Sequence, residues 1–105
     1  MRGGYGYVGQ RRHGSQISWF VQGLHNTTNN PVAADAPPTF RIYGSTEVPV
    51  AVGSGVAFDT ANLVGVYKCT VSLSSGFTPG DVYMAVTQWQ VSGVTQSCIS
   101  YFQVT

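Results

Sequence analysis

The segment GVYKCTVSLSSGFTPGDVY, from Gly65 to Tyr83, leaves few folds open to the chain that contains it. Tyr67, Cys69, Val71 and Leu73 alternate with Lys68, Thr70 and Ser72, the period of two expected of a strand with one buried face and one wet face. Thr78-Pro79-Gly80-Asp81 then reads as a type II turn: proline presets φ at the first corner, and glycine takes a positive φ at the second without steric cost. Beyond it, Asp81 to Val91 is rich in Val, Tyr, Thr and Trp, which favour strands. A strand, a reversal and a second strand are expected here, forming a hairpin.

From Ser15 onward the chain continues in the same style. Ile17, Trp19 and Val21 alternate with Ser18, Phe20 and Gln22, so both faces of this strand carry an aromatic. The stretch from His25 to Pro38 is dense in Asn, Pro and Asp and reads as a loop. Thr39 to Tyr43 forms the next strand, with Phe40 and Ile42 on one face. A piece near Val48 to Val52 contains Pro49 and is confined to an edge or made irregular. Val56 to Phe58 adds a short piece, and Asp59 to Asn62 closes one helical turn with Asp59 as its cap. Ser92-Gly93 turns the chain into a last strand, Val94 to Thr105. Six or seven short strands without a convincing helix point to an all-β fold, an antiparallel immunoglobulin-like β-sandwich, with a small closed barrel as the alternative.

The length of 105 residues suits one such domain with a single core. Only 9% of residues are charged and the net charge is +1, so self-repulsion does little for solubility, and the surface suits coverage by neighbours. No run of apolar residues is long enough to span a membrane, and the N-terminus has no apolar signal core, so synthesis in the cytoplasm is expected. Cys69 and Cys98 fall in different strands on apolar faces. They either bridge the sandwich or remain two buried thiols, and a reducing compartment favours the second.

Charge is unevenly placed. Arg2, Arg11 and Arg12 supply three of the five basic residues, and no acidic residue precedes Asp35. Residues 1–14 therefore read as an extended basic arm, rich in Gly and Tyr, attached to a sandwich of residues 15–105. Such a segment is either mobile or laid along a partner. Arg2, Tyr5, Tyr7, Arg11 and Arg12 are its candidate contacts. Arginine with tyrosine suits nucleic acid, but the remaining chain sets Arg41 and Lys68 against four acidic residues, which argues for a protein partner instead.

Chemistry is sparse. His13 and His25 stand in polar surroundings, the four carboxylates occur singly in loop contexts, and GYGYVG near the start follows no strand and opens no helix. No nucleophile has a positioned base, so no catalytic, cofactor or metal site is expected. Exposed aromatics remain as contacts: Trp19, Phe20, Trp89 and Tyr101 are candidates for binding a partner or stacking on a glycan, the alternative being a place in the core.

The succession PPTFRIYGS, LVGVYKCTVSLSSGFTPGDVYMAV and SYFQVT resembles the small immunoglobulin-like structural proteins of tailed bacteriophage virions. Tyr43, Gly65, Tyr67, Gly76, Phe77, Gly80, Tyr83, Phe102 and Val104 carry the resemblance, which runs from about Ser15 to Thr105 and leaves the arm outside. It implies a non-enzymatic virion protein that acts by assembly with other virion proteins. A capsid decoration subunit, seated on the major capsid protein and like subunits through its arm and an apolar strand face, is the first expectation. A neck, tail or baseplate subunit is the second, and a host-adhesion module binding glycan the third.

Overall fold

The computed structural model describes residues 5–105, with side chains from Gly6 onward. These residues form eight strands and no helix: β1 (Tyr5–Arg11), β2 (Gln16–Gln22), β3 (Thr39–Tyr43), β4 (Ala51–Ser54), β5 (Val56–Ala57), β6 (Val66–Ser72), β7 (Val82–Val91) and β8 (Val94–Val104). Five of them make one sheet in the order β1-β8-β7-β3-β4, and three make another in the order β2-β6-β5. All neighbours are antiparallel except β1 and β8, which run parallel. This order, with the chain passing repeatedly between the sheets, is that of an immunoglobulin-like sandwich.

The two inner faces make one core. Ile17, Trp19, Val21, Tyr67 and Cys69 from the smaller sheet meet Phe40, Ile42, Tyr83, Ala85, Trp89, Val91, Phe102 and Val104 from the larger. Alternation along β7 is strict, with Tyr83, Ala85, Thr87, Trp89 and Val91 buried between exposed or half-buried neighbours. Trp19 sets the edge of its ring on Phe40 across the gap, with ring centroids 5.0 Å apart and planes at 73°, a geometry the aromatic quadrupoles favour.

The hairpin expected between Gly65 and Val91 is not formed. β6 belongs to the smaller sheet and β7 to the larger, so the segment between them crosses the end of the sandwich. The reason lies in Leu73 and Phe77, both buried, which draw the crossing chain over the core. Phe77 packs on Tyr83 at 4.8 Å. The Tyr83 hydroxyl in turn accepts a bond from the Thr78 amide at 2.7 Å, the tyrosine corner of immunoglobulin-like domains. The turn itself is as expected: Asp81 N–H donates to the Thr78 carbonyl, and Gly80 has φ +96. The true two-residue hairpin joins β7 to β8 through Ser92 and Gly93, whose φ values of +49 and +79 are those of a type I′ turn.

The expected arm is also corrected. Residues 5–11 are strand β1, paired with β8 from Ile99 to Val104. Backbone bonding to the edge of a long last strand, with Val8 packed on the core, supplies what the segment lacks in apolar periodicity. Deleting residues 1–14 would therefore remove a strand from the sandwich. Arg2 lies outside the described residues. Other expectations change less. Strand β4 begins at Ala51 rather than Val48, beyond Pro49. At residues 59–63 one turn does close, but through the Asp59 carbonyl, while the Asp59 carboxylate accepts from the Asn62 side chain.

Candidate interaction surface

Sheet register decides which side chains share the outer face of the larger sheet. Tyr7, Tyr101, Met84 and Tyr43 lie in one row across β1, β8, β7 and β3. Ile99, Val86, Arg41 and Val52 form the adjacent row across β8, β7, β3 and β4. Tyr7 is 52% exposed and rests its ring 5.0 Å from that of Tyr101, which is 36% exposed. Val52, Val82, Met84 and Ile99 are exposed as well. Of the residues that β3, β4, β7 and β8 turn outward, Arg41 alone is charged.

The smaller sheet has a lesser apolar patch on its own outer face. Phe20, 53% exposed, meets the ring of Phe58 edge-on at 5.1 Å. Lys68 stands between Phe20 and Val56 in register, Val66 lies opposite Gln22, and the rest of the face on β2 and β6 is polar, with Ser18 bonded to Thr70.

Of the four aromatics expected as surface contacts, Phe20 and Tyr101 are exposed, on opposite outer faces. Trp19 and Trp89 are not: they are 5% and 8% exposed, and each indole N–H is bonded inside the sandwich. Trp19 Nε1 donates to Thr87 Oγ1 at 2.9 Å and Trp89 Nε1 to Gln96 Oε1 at 2.7 Å. Neither tryptophan offers a platform to a sugar, which removes Trp19 and Trp89 from the expected glycan contacts. Of the basic residues expected in the arm, Arg11 folds back onto the Gln10 carbonyl, and the Arg12 carbonyl closes the turn to Ser15. Both are exposed at the corner between β1 and β2. Tyr5 contributes backbone to β1.

Several ionisable side chains help close turns and loops. The Asp35 carboxylate accepts the amides of Ser92 and Gly93, one on each oxygen, at 2.9 Å. That contact pins the β2–β3 loop to the β7–β8 hairpin. A shallow cavity of about 280 Å³ beside it is lined by Asp35, Thr39, Gln88, Trp89, Gln90 and Thr95 among others, with the carboxylate already engaged at its rim. His25 Nδ1 faces the amides of Thr27 and Thr28, and His13 lies against the Ser74 carbonyl. Among the described residues no cluster of three or more His, Cys, Asp or Glu side chains could hold a metal ion. Cys69 and Cys98 are free thiols, and burial with a further push from Cys98 raises Cys69 to about 11.

The residues that sequence reasoning missed are Val52, Val82, Met84 and Ile99. A signal for two of them was present: in Val82-Tyr83-Met84-Ala85-Val86 both parities are apolar, which a half-wet strand does not require. Compared with known proteins, this chain matches no family model and no curated protein.

Proposed function

We propose that this protein is a non-enzymatic structural subunit of a tailed-bacteriophage virion, a capsid decoration protein that docks through the outer face of its five-stranded sheet. The observation that carries the reading is the pair of apolar cross-strand rows centred on Tyr101 and Val86, interrupted by a single charge. The five strands, of seven, eleven, ten, five and four residues, give a face of roughly 590 Å² at about 3.3 Å per residue and about 4.8 Å between strands. That approaches the roughly 800 Å² one partner contributes to a standard protein interface. A face of this kind gains by being covered, and low net charge removes the electrostatic barrier to bringing many subunits together.

The resemblance to virion domains supplies the particle. Its residues build the scaffold: Tyr83 and Gly80 form the corner, Phe77 and Phe102 the core. Gly65, at φ +72, passes so close to the Val32 carbonyl that a Cβ would lie 2.2 Å from it. Of the residues that carry the resemblance, Tyr43 alone lies in the outer rows, so most of the docking surface belongs to this chain and not to the shared pattern. The copy number in purified particles tests the reading. A decoration subunit is present in proportion to the capsid lattice, whereas a ring-sized number would replace it with a neck, tail or baseplate role.

A further inference from the structure

Strand β2 is the edge of the three-stranded sheet, and it carries none of the usual guards of an edge. Its seven residues, QISWFVQ, include no charge and no proline, and its pairing with β6 runs without a register shift. By contrast β1, the neighbouring edge of the larger sheet, has a bulge between Tyr7 and Gly9 and ends on Arg11. Natural edges left long, flat and uncharged are templates for another strand.

The ladder defines which groups are unmet. Gly23 N–H bonds the Gly65 carbonyl at one end of the β2–β6 pair and Leu73 N–H bonds the Ser15 carbonyl at the other. Bonded pairs alternate in an antiparallel ladder, so Ile17, Trp19 and Val21 direct their backbone groups to β6. Gln16, Ser18, Phe20 and Gln22 direct theirs away from it. Among the described residues nothing bonds those N–H and C=O groups.

We infer that β2 pairs antiparallel with β2 of a second copy, about a twofold axis at Trp19. In that register Gln16 faces Gln22 of the second copy and Ser18 faces its Phe20, so every unmet backbone group of the strand finds its bond. The smaller sheets of the two copies become one continuous six-stranded sheet. Phe20 and its symmetry mate then lie diagonally across the new pair, about 7–8 Å apart and within reach of aromatic contact. No like charges oppose each other. The nearest charge on this face, Lys68, stands one strand in from the edge, and so about three strand spacings, roughly 14 Å, from its mate, beyond the Debye length at physiological salt. An unrelated partner strand would need its own match to this register, whereas the second copy has it by symmetry. This surface is separate from the docking face of the larger sheet.

Two measurements test the inference on the full chain. Sedimentation over a concentration series is expected to show a monomer–dimer equilibrium, weakened at least roughly tenfold by Ser18→Pro, because the lost N–H faces the free edge and not β6. Phe20→Lys is expected to act in the same direction, while Tyr101→Lys on the other sheet leaves the dimer unchanged. In amide hydrogen exchange, Ser18 and Phe20 are expected to gain protection as concentration rises, and Trp19 and Val21 to be protected throughout. A dimer indifferent to Ser18→Pro and Phe20→Lys, a monomer at all concentrations, or protection of Ser18 and Phe20 only on addition of a different protein would each overturn it.

Discussion

Trp19 and Thr87 join the two sheets at their centre: the indole Nε1–H of Trp19 on β2 donates to Oγ1 of Thr87 on β7 at 2.9 Å, between residues that are both buried. These are the strands that antibody domains connect with a disulfide. Here the two cysteines lie one strand over in each sheet, Cys69 paired in register with Trp19 and Cys98 with Thr87. A neutral hydrogen bond occupies the place of the covalent link. Thr87→Val keeps the shape but leaves the indole N–H unmet, and is expected to cost about 1–3 kcal/mol in urea unfolding. In a Trp19→Phe background the same replacement should cost little. Equal costs in both backgrounds would show that the bond contributes nothing.

Gln96 organises the long loop after β2. It is fully buried, accepts from Trp89 Nε1 and the Leu24 amide, and donates to the Leu24 carbonyl and Asn26 Oδ1. Gln96→Leu strips two donors of their acceptor and releases the loop, at an expected cost of roughly 2–4 kcal/mol. Amide exchange should quicken at Leu24 and beyond, while the β3–β7 ladder remains protected. An unchanged loop would mean that its other bonds, from Asn26 to the Val91 carbonyl, from the Ala34 amide to the Tyr67 hydroxyl and from the Ser92 and Gly93 amides to Asp35, hold it without Gln96.

Cys69 predicts an alkaline limit. Its burial, with the added effect of Cys98, raises the thiol from 9.0 to about 11. The folded state therefore keeps a proton that the unfolded chain releases, so this group's stabilisation is fully present below pH 9 and is lost as pH rises through 11. The span corresponds to at most about 3 kcal/mol. Urea midpoints of Cys69→Ala should fall less steeply than those of the unaltered protein across that interval. Parallel curves would refute the assignment.

Much of this fold was legible because its elements carry local signals. Strict alternation marked β2, β3 and β6, and Pro79-Gly80 and Ser92-Gly93 marked turns whose geometry the structure bears out. What could not be read was which sheet each strand joins. The sequence around Leu73 and Phe77 looks alike whether the chain folds back on its neighbour or crosses the core, because the difference lies in distant partners such as Phe102. For the same reason β1 was invisible: it is held by backbone bonds to β8, and backbone bonds leave no pattern in side chains. The surface fared worst. Trp19 and Trp89 looked available as aromatics on strands, yet each has a buried acceptor, Thr87 or Gln96, far enough away in sequence or unexpected enough in a core to escape notice.

The docking face of the larger sheet is tested most directly by replacing Tyr101, at the centre of its aromatic row, with arginine, and counting copies on purified particles. Tyr101 is 36% exposed on the outer face and meets the ring of Tyr7, so the change is expected to leave the protein folded, with an unfolding free energy within about 1 kcal/mol of the original. A buried unpaired charge in the interface should weaken docking at least tenfold, by about 1.4 kcal/mol or more, and lower the copy number on particles. A folded Tyr101→Arg protein found on particles at full occupancy would contradict the assignment of this face.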